Sequence, residues 1–170
     1  VDILLYDLKE MDPGKHKIFT GAENEMILAN ALFMADYKKT HILPRTLWIR
    51  TPVIPGATDT SENIRGIGEF INGHLHGMVD RWELCAFNNL CRDKYARLGL
   101  NWSHSFSALP ERSLMEELTQ IAQGTVSPSI ACWSGPTRLA SGADENLPEN
   151  KRPHTPHTEK DGKERCHDRT

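Results

Sequence analysis

Apolar residues form short continuous runs in three places along the chain. These runs occupy residues 1–7, 46–53 and 81–87, and each ends at a polar or proline-containing cluster. Runs of this length between turn residues are typical of strands in a parallel sheet. We therefore predict three strands, the first of them buried on both faces.

Three other segments have apolar residues at the three-to-four spacing of amphipathic helices. Asn24 is the expected cap of the first, Thr60 or Ser61 caps the second, and the third runs from about residue 112 to residue 122. Residues 11–14 are predicted to form a turn, and a long loop is predicted before the last helix. The apolar positions are Met26, Ile27, Ala31, Leu32 and Met34, then Ile64, Ile67, Phe70 and Ile71, then Leu114, Leu118 and Ile121. Alternating strands and helices predict an α/β fold with parallel strands and crossover helices.

Composition divides the chain into two parts. Residues 141–170 contain Leu147 as their only large aliphatic residue, and Lys, Arg, Glu, Asp, His and Pro dominate there. Such a segment has too little apolar surface to offset the entropy lost on ordering. We predict a folded domain at residues 1–140 and a disordered polar tail at residues 141–170.

Charge and cysteine content narrow the functional classes. The net charge is -3 with a pI near 6.2, so neither nucleic acid nor an acidic membrane surface is an expected partner. No window approaches the roughly 20 apolar residues of a membrane span, and no secretion signal is visible at the start. Four cysteines are too few for a disulfide scaffold, which predicts a reducing, cytoplasmic location.

Polar side chains follow each of the three predicted strands. Asp7 and Lys9 end the first, Arg50 belongs to the second, and Asn88 follows the third. Ligands of parallel α/β folds collect at the carboxyl ends of strands, and residues two apart on a strand point to the same side. An acid beside a base suits a zwitterionic ligand. The same spacing also describes a structural ion pair at a strand end, so both interpretations stay open.

Histidine and cysteine positions give weaker signals. His74 and His76 lack the accompanying cysteines or carboxylates of a metal site, so a solvated turn is favoured. Cys85 and Cys91 match no zinc or cluster spacing, while Cys85 and Cys132 lie in apolar segments and are predicted to pack in the core. No phosphate loop, nucleophile elbow or Ser/His/Asp set is recognisable. We therefore assign no catalytic residue and no metal ligand.

Several segments resemble a known family in both order and spacing. They are Leu5-Tyr6-Asp7-Leu8-Lys9 with Met11-Asp12, His16-Lys17, Thr20-Gly21, Asn24-Glu25 and Ile27-Leu28, then residues 48–56 with Asp59, Asn63 and Ile64, then Glu83-Leu84, Lys94-Tyr95 and residues 97–100. On these residues the chain resembles the C-terminal half of the glycyl-radical enzyme activating enzymes. This group includes pyruvate formate-lyase activating enzyme and belongs to the radical S-adenosylmethionine (SAM) superfamily.

The resemblance implies a fold, two cofactors and two partners. The implied fold is the C-terminal half of a partial (β/α)6 radical SAM barrel, contributing three parallel strands. SAM is the implied cofactor, with Asp7, Lys9 and Arg50 at binding positions and Asn88 where many members have a histidine. Members also carry a [4Fe-4S] cluster and cleave SAM reductively to generate a glycyl radical on a partner enzyme. The implied partners are that glycyl-radical enzyme and the missing N-terminal half of the barrel.

Cysteine spacing departs from the family pattern. The family binds its cluster with a Cys-x3-Cys-x2-Cys loop, and none of the four cysteines here has that spacing. Because the chain also opens inside an apolar run at Val1, we expect a fragment or truncated product that is inactive alone. Two alternatives are a degenerate or split barrel piece that acts only as a protein-binding module, and a lyase that forms a Schiff base through Lys9. The second lacks an evident apolar pocket around that lysine.

Overall fold

The structure, a computed structural model, describes residues 1–75 and 77–139. Four strands and five helices lie within these ranges. In chain order they are β1 (Ile3–Asp7), α1 (Pro13–Thr20), α2 (Glu25–Thr40), β2 (Thr46–Val53), α3 (Ser61–His74), β3 (Arg81–Ala86), α4 (Cys91–Arg97), α5 (Arg112–Thr125) and β4 (Ala131–Ser134). The predicted tail at residues 141–170 lies outside the described residues, as does His76.

All four strands pair in parallel, and their order in the sheet is β1-β2-β3-β4. The three predicted strands are confirmed as parallel neighbours, and the α/β class is confirmed with them. The expected number of three is wrong, because β4 adds a fourth strand beside β3. β4 has only four residues, too few to show the alternation of a strand. Its sequence therefore predicted a segment that packs in the core, but not a strand.

Side chains on the two faces of the sheet have different surroundings. In β2 and β3 alternate residues are fully buried, among them Ile49, Trp82 and Leu84, and they belong to one core with α3 and α5. The side chains between them are only partly covered. We call this second side the open face, and it carries Ile3, Leu5, Asp7, Trp48, Arg50, Arg81, Glu83, Cys85 and Cys132.

The first strand differs from its prediction. Ile3 and Leu5 are 51% and 48% exposed, so β1 is not buried on both faces. Both residues lie on the open face, while Leu4 and Tyr6 pack against the core. The Tyr6 hydroxyl donates to the Ile27 carbonyl at 2.8 Å, which links β1 to α2, and burial raises the pKa of this phenol.

The predicted apolar faces of α3 and α5 are confirmed, whereas that of α2 is partly wrong. Ile64, Ile67 and Ile71 are buried in α3, and Leu118 is buried in α5. In α2 the buried residues are Ala31 and Ala35, while Met26 and Leu32 are exposed. The helix packs its small alanines against the core and leaves larger apolar side chains exposed. The spacing of apolar residues could not predict this, because it takes no account of side-chain size.

Two short helices were not predicted. At the first, the Asp12 carboxylate accepts from the Lys15 amide at 2.7 Å, Pro13 is the first helical residue, and Gly21 ends the helix with φ 86°. Asp-Pro-Gly is therefore a helix start here rather than an isolated turn. The second, α4, lies in the predicted long loop, has no side-chain cap and buries none of its residues, so the sequence carries no signal for it.

Gly68 allows α3 to approach α5 closely. A Cβ atom at this position would lie 1.8 Å from Thr125 Oγ1, 2.7 Å from Thr125 Cβ and 3.1 Å from Trp82 Cζ3. Contacts this short require backbone movement, so the packing of the two helices depends on a missing methyl group.

We predict that Gly68→Ala lowers the free energy of unfolding by about 1–3 kcal/mol, because it forces α3 away from α5. Gly73→Ala in the same helix is the matched control, since a Cβ there has nothing within 4 Å. It should leave stability unchanged or raise it slightly. Urea denaturation followed by circular dichroism measures both variants, and equal stabilities for the two would contradict this packing.

Candidate functional site

Four polar side chains form a row across the open face. Strand register pairs Asp7 with Arg50, Arg50 with Glu83, and Glu83 with Cys132. Because the strands are parallel, their carboxyl ends lie at one edge of the sheet, and Asp7 is the last residue of β1. The row therefore places a carboxylate, a guanidinium, a second carboxylate and a thiol near that edge.

Asp7 lies between two cations. Its Oδ2 is 3.5 Å from Lys9 Nζ and its Oδ1 is 3.9 Å from Arg50 Nε. The three side chains are 40–41% exposed. Ion pairs this exposed contribute at most about 1 kcal/mol to stability, so the fold does not depend on them. The structure thus brings together three of the four residues predicted from strand ends and leaves them accessible.

Arg50 also contacts Cys85 on the neighbouring strand. A hydrogen bond to the thiol, together with charges nearby, raises the pKa of the guanidinium. Burial raises the pKa of the Cys85 thiol, and Arg50 opposes that increase. The prediction that Cys85 packs in the core is wrong, because Trp82, Leu84 and Ala86 take the buried positions of β3 and leave Cys85 partly exposed on the open face.

Glu83 and Arg81 extend the charged network along β3, away from the carboxyl ends of the strands. Arg81 Nη2 donates to Glu83 Oε1 at 2.9 Å, and the Arg81 guanidinium lies 4.8 Å from the centroid of the Trp48 ring. Glu83 was not among the predicted site residues. Side chains alternate along a strand, so Glu83 lies on the same side as Cys85. The sequence therefore contained the information needed to place Glu83 in the site.

Asn88 lies two residues after the end of β3 and lines a cavity of about 300 Å³ together with Arg50. Its Oδ1 accepts from the Leu90 amide at 3.2 Å. The same cavity is lined by Trp102 and His104, which come from the segment between α4 and α5. No spacing rule places loop residues at a strand end, so sequence reasoning missed both.

Two buried asparagines hold the segment that follows β1. Asn63 Nδ2 donates to the Lys9 carbonyl at 2.8 Å, and its Oδ1 accepts from the Met11 amide at 3.0 Å. Asn24 Nδ2 donates to the Glu10 and Met11 carbonyls at 2.9 and 2.8 Å. The expected role of Asn24 as a side-chain cap of α2 is therefore wrong, because its amide is used to position Lys9–Met11 backbone groups instead.

Histidines and cysteines of the described residues show no assembled metal site. His74 ends α3 with its ring 5.3 Å from that of Phe70. Over residues 1–75 and 77–139, no three His, Cys, Asp or Glu side chains come together in a way that could bind a metal ion. No helix in the same ranges has the length and apolar character needed to cross a membrane.

Comparison with known proteins gives a consistent class of relatives, although no family model matches the chain. The chain is 31% identical over 134 residues to the (2S)-3-sulfopropanediol dehydratase activating enzyme of Klebsiella oxytoca, covering 79% of the chain and 40% of the relative. It is 34% identical over 99 residues to the pyruvate formate-lyase-activating enzyme of Streptococcus mutans, covering 58% and 35%. For the 4-hydroxyphenylacetate decarboxylase activating enzyme of Clostridioides difficile the identity is 33% over 135 residues, covering 79% and 40%.

A solved structure has the same fold. The crystal structure of a domain of pyruvate-formate lyase-activating enzyme from Bacteroides vulgatus matches with a TM-score of 0.56 and 24% identity, covering 79% of this chain and 68% of that one. The resemblance to the radical SAM activating enzymes of glycyl-radical enzymes is therefore confirmed, and it concerns their C-terminal portion. Among them, pyruvate formate-lyase-activating enzyme is similar to this chain in both sequence and fold. The chain spans about two fifths of the length of these curated relatives.

We predict that Asn63→Ala lowers the free energy of unfolding by about 1–3 kcal/mol, because it leaves the Met11 amide and the Lys9 carbonyl without their partner. Asn72→Ala, at an exposed position of the same helix, should change stability by less than about 0.5 kcal/mol. Thermal or urea unfolding of both variants is the measurement. An unchanged stability of Asn63→Ala would show that these hydrogen bonds do not hold the loop.

We also predict that Arg50→Met slows alkylation of Cys85 at pH 8. Arg50 lowers the pKa of the thiol, so removing the guanidinium lets burial raise that pKa further and reduces the thiolate fraction. The rate is measured by iodoacetamide labelling between about pH 7 and about pH 10, a range that brackets the ordinary pKa of a thiol. Peptide mass spectrometry identifies the labelled cysteine. Arg112→Met, at an exposed ion pair, is the control. Faster or unchanged labelling in Arg50→Met would contradict the contact.

Proposed function

We propose that the chain forms the C-terminal part of the radical SAM barrel of a glycyl-radical enzyme activating enzyme and contributes part of its SAM-binding edge. The observation that supports this most directly is the Asp7 carboxylate flanked by Lys9 and Arg50 at the carboxyl edge of the sheet. The relatives are activating enzymes of this type, and the match falls in their C-terminal portion.

The chemistry of the donor set fits the cofactor. SAM carries an amine, a carboxylate and ribose hydroxyls, and its reductive cleavage is what begins the radical chemistry of the family. Lys9 and Arg50 are suited to binding a carboxylate or hydroxyl oxygens, whereas Asp7 accepts from an amine or a hydroxyl. Asn88 takes part through the cavity that it shares with Arg50, by amide hydrogen bonding rather than by a titratable ring.

The same pairing argues against a Schiff-base lyase. Lys9 Nζ lies 3.5 Å from Asp7 and its side chain is 40% exposed, whereas a Schiff-base lysine needs a desolvating apolar pocket or a neighbouring cation. Lys9 is therefore proposed as a binding residue.

The open face and the edge of β1 support a partial barrel. β1 is an edge strand of the sheet, and Ile3 and Leu5 leave apolar surface on its open side. In a barrel the preceding strand would pair with this edge, and the remaining strands would enclose the open face. We propose that the N-terminal half of the barrel pairs with β1 and covers the open face. The carboxyl ends of the strands in the completed barrel would then meet a glycyl-radical enzyme.

The three cysteines of the described residues do not fit the cluster. Cys85 lies on β3 beside Arg50, Cys91 is exposed in α4, and Cys132 lies on β4, so they do not share one loop. A [4Fe-4S] cluster of this family needs three thiolates in close sequence. We propose that the N-terminal half carries these ligands and that the present chain alone does not cleave SAM.

SAM binding to the full chain is the test of this proposal. We predict that titration with SAM shifts the NMR signals of the Arg50 guanidinium while those of Arg112 stay in place. Arg50→Met should weaken binding about tenfold, the effect of losing a charge-assisted hydrogen bond, and Arg112→Met should leave it unchanged.

The control separates a local site from general charge attraction, because both variants remove one positive charge. Shifts spread evenly over exposed arginines, or equal affinity of the two variants, would contradict a SAM-binding edge at Arg50.

A further inference from the structure

A second cavity lies beside the proposed SAM-binding edge and shares Lys9 with it. It has a volume of about 360 Å³ and lies between α1, the segment after β2, and residues 103–104. Its wall includes the apolar side chains of Ile18, Phe19 and Ile54 and one acidic residue, Glu10.

The Glu10 side chain accepts a hydrogen bond through one of its two carboxyl oxygens. The residue is 4% exposed, and its Oε1 accepts from the Asp12 amide at 3.0 Å. Its Oε2 is buried, and among the described residues it has no hydrogen-bond partner. A buried carboxylate oxygen without a donor costs free energy, so a ligand that supplies a donor gains by relieving that cost.

The other two titratable side chains around the cavity have partners elsewhere. Lys9 lines the cavity, but its Nζ lies 3.5 Å from Asp7. His104 also lines it, and its Nδ1 lies 3.3 Å from Ser107 Oγ. Glu10 is fixed through its backbone as well, because its carbonyl accepts from Asn24 Nδ2. Among the described residues, neither Lys9 nor His104 forms an ion pair with Glu10, so the cavity wall carries an acidic side chain with an unused oxygen.

We propose that this cavity binds an arginine or lysine side chain of a protein partner, with Glu10 as the residue that recognises the charge. The aliphatic stem of such a side chain matches the apolar wall, and the Phe19 ring can face a guanidinium. Ile18 is 79% exposed beside the cavity and offers apolar surface to the neighbouring residues of the partner segment. The site goes beyond the proposed SAM-binding edge, because Glu10 and the apolar wall would bind a side chain of a polypeptide rather than the cofactor.

Capped tripeptides bound to the full chain test the assignment. The probes are Gly-Arg-Gly and the same peptide with norleucine or glutamate in the centre, followed through the methyl NMR signals of Ile18 and Ile54. The arginine peptide should bind most tightly, and Glu10→Gln should weaken it about tenfold by removing the charge while an acceptor for the Asp12 amide remains. Glu117→Gln removes the same charge at an exposed position of α5 and should leave the affinity unchanged.

Phe19→Leu gives an independent variant that leaves the Glu10 contacts intact. It should weaken the arginine peptide two- to fivefold, about the contribution of an exposed cation–π contact, and leave the norleucine peptide unaffected. Equal binding of the norleucine peptide, or preference for the glutamate peptide, would overturn the proposal. Butylguanidine binding as tightly as the arginine peptide would overturn the assignment to a polypeptide. None of these results depends on SAM binding, so the two proposals fail separately.

Discussion

Parallel pairing of the strands in chain order determines where the side chains of the candidate site lie. Register alone places Asp7 opposite Arg50 and Arg50 opposite Glu83, so residues more than 30 positions apart in the chain meet on one face. The helices that bury the other face leave this row partly exposed. A carboxylate between two cations follows from that geometry without any special backbone conformation.

The residues that carry the family resemblance divide into two physical roles. Asp7, Lys9 and Arg50 present charge at the carboxyl edge, where a zwitterionic ligand can reach them. Asn24 and Asn63 are buried instead, and their amides hold the segment that positions Lys9. A motif that looks like one unit in the sequence therefore contains both exposed charged groups and the buried amides that position their loop, and only the structure separates the two.

Sequence reasoning succeeded where periodicity is strong and failed where contacts are non-local. The faces of α3 and α5 and the parallel pairing of three strands followed from apolar spacing. The exposure of Leu5, in contrast, depends on what covers the open face, and an apolar run does not reveal that. Cys85 was wrongly predicted in the core, because its apolar neighbours were given more weight than the alternation of side chains along the strand. His104 lines the same cavity as Arg50, but it comes from a loop whose path no local sequence pattern specifies.

Assembly with an N-terminal barrel half is the most direct test of the central claim that this chain completes the SAM site of an activating enzyme. A separate polypeptide containing the N-terminal part of the Streptococcus mutans relative would be reconstituted with iron and sulfide and mixed with this chain. The measurement is formation of 5′-deoxyadenosine from SAM under reductant, with the relative's own C-terminal part as the positive control. We predict product with the wild-type chain and strongly reduced product with Arg50→Met. A stable assembly that yields no product, while the positive control does, would contradict the claim.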